Sequence, residues 1–296
     1  MSSRKAYDST WQAALLLLPT IAIFVIFLYW PALRTIWLGF YETQFFGQQG
    51  TFVGLQQYWE ILMWEKYQNS VIVTLKFAVV SVFGTLIVSI LLAYWIYTVE
   101  RGKTAYMIAV IWPYAMPGAV AATVLLILLH PEIGMISAPI ESLTGMEWDW
   151  RVHGTQAFWL VALGTIWFTL GYDIIFLLAA FHGIPESLNE TTRLDGVPQW
   201  RMLVSVYLPL ISPTLLFLLV INTLGGFFGG FAMVDLVTNG GPRGATNLMI
   251  YQLYESGFRN FNIGEAAVQS VYLFAIAVVL AVAQIVFSDK RIHYGG

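Results

Sequence analysis

The residues able to do chemistry are few and far apart. His130, His153, His182 and His293 stand singly. None has the His-Glu-x-x-His spacing that sets two imidazoles on one helix face around zinc. There is no cysteine, which excludes thiolate nucleophiles, disulfides and Cys-ligated metal. No Gly-x-Ser-x-Gly elbow occurs, and Gly240-Gly241-Pro242-Arg243-Gly244 lacks the lysine of a phosphate loop. What remains is binding chemistry. Asp173 lies inside a long apolar run, and Thr165, Thr169 and Asp173 recur every four residues, so they share one helix face bordered by Tyr172. An ionisable residue in such a run is costly and is a functional candidate by default. Two roles fit the stripe: a helix–helix hydrogen-bond network, or one wall of a path for a hydroxyl-rich solute. Tyr114 and Gly118 sit beside Pro113 and Pro117. Prolines free backbone carbonyls, and at membrane depth such groups are tolerated only against protein or water. Asn222, just before Gly225, Gly226, Gly229 and Gly230, completes the candidate path, while the glycines themselves suit close packing. Thr74, Ser81, Thr85 and Ser89 share a compatible face and read as packing residues.

The elements that position these residues follow from composition. The chain has 296 residues, 58% of them apolar and 10% charged, with mean hydropathy +0.70. A soluble domain carries roughly 25% charged residues, so this chain cannot cover a water-facing surface. A net charge of −3 gives no footprint for nucleic acid. Twelve Trp, 15 Tyr and 20 Phe suit two lipid–water interfaces. A membrane-crossing helix needs about 20 apolar residues, and six runs qualify: 13–30, 71–97, 106–129, 157–180, 208–228 and 266–287. The first is too long for a usual signal peptide, and Trp30-Pro31 replaces a small-residue cleavage site, so it reads as a retained anchor. With both ends inside, eight Lys and Arg fall on the cytoplasmic side and five outside. Both termini are therefore expected in the cytoplasm. The longer outer segments 31–70, 130–156 and 236–265 carry Trp37, Trp59, Trp64, Trp148 and Trp150. Interfacial anchoring is the first expectation for these rings, and a surface for an external partner the second.

One loop departs from the apolar background. From Gly183 to Pro209 the chain carries Glu186, Glu190, Arg193, Asp195 and Arg201. Pro185 is placed to open a helix, Glu186 suits its positive end, and Gly196 followed by Pro198 is a stop signal. Glu190-Thr191-Thr192, then Gly196, then Val206-x-Leu208-Pro209 resembles the EAA loop of permease subunits from binding-protein-dependent ABC importers, with departures at Thr191, Thr192 and Val206. Trp112-Pro113-Tyr114-Ala115-Met116-Pro117 and Thr238-Asn239-Gly240-Gly241-Pro242 are similar to two further elements of that family. The group it most resembles takes up carbohydrates and glycerol-3-phosphate and includes the maltose transporter's larger membrane subunit.

The resemblance implies an all-α, six-span integral membrane protein of the MetI-like permease fold. Residues 1–70 would form an anchor helix and outer segment, and 71–290 a core of five spans with a cytoplasmic coupling loop at 182–209. It implies a second homologous permease, a cytoplasmic ATPase dimer and an external solute-binding protein as partners. ATP and magnesium would sit on the ATPase subunits, with no cofactor in this chain. Coupling would fall to Pro185, Glu190, Thr191, Thr192, Asp195 and Gly196. Solute passage would fall to Thr165, Thr169, Tyr172, Asp173, Tyr114, Gly118 and Asn222. Sugar and glycerol-3-phosphate stay together as one solute class: the candidate path shows no arginine cluster for phosphate and contains Asp173. A self-contained secondary transporter and a membrane-embedded enzyme are the alternatives. A secondary transporter should show repeated halves, and no repeat is visible.

Overall fold

The computed structural model describes residues 10–44, 48–145, 147–185, 187–188 and 197–289. Glu186, Glu190, Thr191, Thr192, Asp195 and Gly196 of the loop lie outside the described residues. The chain divides into two compact units. One takes in the chain up to Met63 together with Leu253–Tyr272; the other takes in Trp64–Gln252 and the chain from Leu273 onward.

In the first unit, α1 (Ala14–Leu38) is long and apolar enough to cross a membrane and none of its apolar window is buried. It runs eight residues beyond the expected end at Trp30. Pro31 falls in the first turn of its last helical stretch, where no N–H is needed. An antiparallel hairpin, β1 (Tyr41–Gln44) and β2 (Gln48–Phe52), pairs Tyr41 with Phe52, and the two rings meet edge to face at 5.3 Å. The short helix α2 (Gln56–Met63) follows. Thr43 ties the hairpin to the later part of the unit, donating to Asn262 Oδ1 at 3.0 Å and accepting from the Gly264 N–H at 3.1 Å.

The second unit is built on two long helices, α3 (Glu65–Thr98) and α7 (Gly154–His182), which make its most extensive contact. Between them lie α4 (Lys103–Ala115), α5 (Gly118–Leu128) and the short α6 (Ser137–Thr144). After them come α8 (199–210), α9 (Ser212–Thr238), α10 (249–259) and α11 (Ile263–Asp289), the last two continuing across the division between units. The core has two patches. One gathers Leu86, Ile96, Ile174, Phe181 and Leu218; the other gathers Phe77, Trp150, Leu160 and Val234.

The third predicted span is not one continuous helix. α4 and α5 meet at 103°. Pro117 has no N–H to continue the ladder, and its ring forces the preceding residue out of the helical region. Met116 is accordingly extended, with ψ 153°. Trp112–Ala115 tightens to a 3-10 turn before the break, and α5 restarts with Val120 and Ala121 donating to the Pro117 carbonyl at 2.9 and 3.1 Å.

The bent pair still counts as a single crossing, by a parity argument. Thr85 of α3 meets Thr169 of α7, and four residues on Ser89 meets Asp173. The two helices therefore run in the same direction. Their first turns lie at one end, where Asn69 donates to the Gly244 carbonyl and Gly154 abuts Ala245. Their last turns lie at the other, where Tyr97 meets His182. Two parallel helices need an odd number of crossings between them, and α4 with α5 supplies one.

α9 returns from the His182 end. It reaches ten residues beyond the predicted Phe228 and is interrupted at Gly229 and Gly230. Gly230 has φ +75°, which a side chain disfavours, and a Cβ there would lie 2.8 Å from the Phe77 ring. Trp148 and Trp150 depart from expectation. Instead of anchoring at a lipid surface, both indole N–H groups donate to the Leu129 carbonyl, at 3.0 and 2.9 Å. That carbonyl is left unpaired by the end of α5, and the two rings cap it.

Candidate functional site

Two clusters of the second unit bear on the candidate residues. The first is the stripe on α7. Thr169 and Asp173 turn toward α3, and Thr165 is buried one turn before them. Thr165 is satisfied within its own helix, donating to the Val161 carbonyl at 2.8 Å. Thr169 Oγ1 lies 3.2 Å from Thr85 Oγ1. Asp173 is fully buried. Its Oδ2 accepts from Asn222 Nδ2 of α9 at 2.7 Å and from Ser89 Oγ of α3 at 3.4 Å. Its Oδ1 has no partner among the described residues. One carboxylate oxygen thus joins three helices.

This bond fixes the Asn222 amide. Its NH2 group is committed to Asp173, so its carbonyl oxygen turns elsewhere. Asn222, Thr169, Tyr172 and Gly118 are half-buried and Tyr114 is exposed, whereas Thr165 and Asp173 are buried. Tyr114 and Tyr172 meet at 5.7 Å between ring centroids. A Cβ on Gly118 would meet Ala232 and the Phe168 ring. On α9 the neighbouring Thr223 accepts from Gln284 Nε2 of α11 at 2.7 Å, a link that the apolar look of 266–287 hid.

The glycine pair before the break in α9 divides by role. A Cβ on Gly226 would lie 3.0 Å from both Cα and Cβ of Ala78, so α3 and α9 touch backbone to backbone there. Nothing lies within 4 Å of a Cβ on Gly225. Gly171 allows a similar approach of α7 to α4, where a Cβ would lie 2.8 Å from Tyr114 Cβ and 3.0 Å from the Ile111 carbonyl.

The second cluster surrounds the root of the 182–209 loop. Tyr94 and Tyr97 from the last turns of α3, Phe181 from α7 and Tyr207 from α8 form a mutual ring cluster. Tyr94 lies 6.0 Å from Phe181 and 5.5 Å from Tyr207; Tyr97 lies 5.6 Å from Phe181 and 6.0 Å from Tyr207. Phe181 and Tyr207 are 5.7 Å apart, edge to face. The Tyr94 hydroxyl donates to the Gln199 carbonyl at 3.1 Å. His182 Nδ1 is 2.6 Å from the Leu178 carbonyl and therefore carries its proton there, which leaves Nε2 to accept from Lys103 Nζ at 3.1 Å. Lys103 also lies over the Tyr97 ring at 5.4 Å. Pro185, the one coupling candidate among the described residues, is exposed, and its carbonyl accepts from the Leu188 N–H at 3.1 Å. Sequence reasoning missed this cluster because four aromatic rings near span ends look like interfacial belt residues.

At the opposite end of the unit, Arg151 donates to Glu132 at 2.9 Å and to Asp149 at 3.0 Å. The Arg151 hydrogen bond holds the Asp149 carboxyl below the usual carboxylate range, and the two acids together raise the Arg151 guanidinium.

A mostly helical chain with five apolar spans, a sixth made by the bent pair, and a buried polar junction has the make-up of a multi-pass membrane protein. The match to known proteins makes this specific. Residues 86–292 match the model of the binding-protein-dependent transport system inner membrane component, and the chain belongs to that family. The sn-glycerol-3-phosphate transport system permease protein UgpA of Brucella abortus biovar 1 (strain 9-941) is 38% identical over 94% of this chain and 95% of its own. The protein of that name from Yersinia pestis bv. Antiqua (strain Antiqua) is 37% identical over 99% of both. Among solved structures, a chain of a bacterial ABC transporter involved in the import of the acidic polysaccharide alginate superposes with TM-score 0.83 at 23% identity, over 96% of both chains. The alginate transporter in complex with an alginate pentasaccharide-bound periplasmic protein gives TM-score 0.81 at 24% identity, over 95% of this chain and 94% of the other. These two establish the fold.

Proposed function

We propose that this chain is the membrane subunit through which an ABC importer moves a hydroxyl-rich solute, a sugar or sn-glycerol-3-phosphate, across the cytoplasmic membrane. The observation that carries the reading is near-full-length similarity to permeases named for sn-glycerol-3-phosphate transport. Energy comes from a cytoplasmic ATPase dimer that holds ATP and magnesium. A second homologous permease completes the pore, and an external binding protein delivers the solute. Both termini and the 182–209 loop lie on the cytoplasmic side. In that loop Pro185, Glu190, Thr191, Thr192, Asp195 and Gly196 serve coupling to the ATPase. Asn222, Thr169, Tyr172 and Tyr114 border the solute path, Gly118 and Thr165 shape the helices beside it, and Asp173 holds Asn222.

The test is reconstitution in proteoliposomes with the ATPase, the second permease and the binding protein. Gly196→Leu should leave ATP hydrolysis running while uptake falls. Wild-type uptake per ATP in that variant refutes the coupling assignment. Uptake of radiolabelled sn-glycerol-3-phosphate against maltose separates the two solute types.

A further inference from the structure

We propose that the ring cluster of Tyr94, Tyr97, Phe181 and Tyr207 is a clamp that makes the two ends of the coupling loop and the end of α3 one rigid body. The inference rests on the coupling reading above and deepens it, adding positioning residues on a helix that the loop itself does not include. The loop is bracketed by α7, which ends at His182, and α8, which begins at Gln199. Sixteen residues of chain separate these two positions, far too many to fix one end by the other. α3 fixes both. Tyr97 meets Phe181 and His182 on the entry side, while Tyr94 meets Tyr207 and bonds the Gln199 carbonyl on the exit side. Ile184 and Val197, the nearest apolar residues flanking the loop, pack against the same core patch. Lys103 adds the start of α4 through His182 and the Tyr97 face.

The physical content is stiffness. Edge-to-face aromatic pairs have defined geometry and each is worth about 0.5–1.5 kcal/mol beyond area burial. Three edge-to-face pairs and two tilted ones converge on four rings and tie the three helix ends together. A push delivered to the loop is therefore carried into α3, α7 and α8 together. Without the clamp, the loop ends would yield separately and the push would dissipate locally.

The absence of cysteine allows a direct test by paired spin labels. Labels at Glu100→Cys and Arg201→Cys, both exposed positions, report the distance between the end of α3 and α8. In the full chain, in nanodiscs and in the assembled transporter, that distance should be the same with and without ATP. Tyr97→Leu should widen its distribution and raise the ATP hydrolysed per solute transported several-fold. Tyr97→Phe, which keeps the ring, should restore both. A wild-type distance that changes with nucleotide, or a Tyr97→Leu variant with unchanged width and coupling ratio, overturns the clamp. Tyr97 is half-buried, so Leu there is a mild change for folding. If the ATPase subunits do not co-purify with the chain, the coupling reading falls. The nanodisc distance then still decides whether the ring cluster is rigid.

Discussion

Replacing Asn222 by Ala should cost more than its small size suggests, because the loss falls on Asp173. The Asp173 carboxyl is fully buried, with one short bond, from Asn222 at 2.7 Å, and one long one, from Ser89 at 3.4 Å. Its other oxygen has no partner among the described residues. After Asn222→Ala, only the 3.4 Å contact remains. In soluble proteins a hydrogen bond to a charged group is worth about 1.5–3 kcal/mol. Inside membrane bundles, double-mutant cycles average about 0.6 and reach about 1.7 kcal/mol, because the unfolded helices also find partners. The membrane scale governs here, and the short length of the bond and the full burial of Asp173 place the pair near its top. The expected coupling is about 1.5 kcal/mol, roughly a tenfold change in the folding equilibrium. The assay is a double-mutant cycle of Asn222→Ala and Asp173→Ala, with stability measured by steric trapping in bicelles. The cycle cancels the cavity that each truncation leaves. Asp173→Asn should be milder than Asn222→Ala, since an amide oxygen still accepts from both donors. A coupling below about 0.3 kcal/mol, or an Asp173→Asn variant less stable than Asn222→Ala, refutes the reasoning.

Two further outcomes follow from the geometry. Gly226→Ala should destabilise by about 1–3 kcal/mol, since its Cβ would press on the Ala78 backbone at 3.0 Å, whereas Gly225→Ala, with open space, should be neutral or slightly stabilising; thermal unfolding in detergent separates the two. For the Arg151 pairs, the folded Asp149 carboxyl titrates below its unfolded value, so its contribution is present above the ordinary Asp range near pH ~3.9 and is lost as pH falls through the lowered value. The effect is small because both groups face water. It should appear as an acid change in the part of the emission that Trp150→Phe removes, and Arg151→Ala should shift that change to higher pH.

The spans were legible because lipid imposes long apolar runs, and the loop because its charges and turn residues interrupt them. A bend in the third span was legible in Pro113 and Pro117, four residues apart; its sharpness comes from Met116, which turns extended before Pro117. The partner of Asp173 was not legible. Four-residue spacing marks a face of α7 and says nothing of which helix it meets, and Asn222 lies 49 residues away. Trp148 and Trp150 misled for a related reason. Composition treats an indole as an amphipathic ring at an interface, while its N–H goes wherever a bare carbonyl is offered, here that of Leu129.

The two clusters share a helix, and that has a mechanical consequence. Ser89, which touches Asp173, precedes Tyr94 of the ring cluster by five residues of unbroken α3, about 7.5 Å of rise. Asp173 precedes Phe181 by eight residues of α7, about 12 Å. The ring cluster and the buried carboxyl therefore sit on the same pair of parallel helices, bonded to each other at both levels. α9 joins that pair at the upper level through Asn222 alone among the polar contacts to Asp173. A body made of α3, α7 and the loop root can thus turn as a unit, while the Asn222 bond is the polar contact that must stretch or break for α9 to move against it. On this geometry the 2.7 Å bond, together with the close backbone approach of Gly226 to Ala78, resists a displacement imposed at the loop, and Asn222→Ala should ease that displacement as well as weaken the fold.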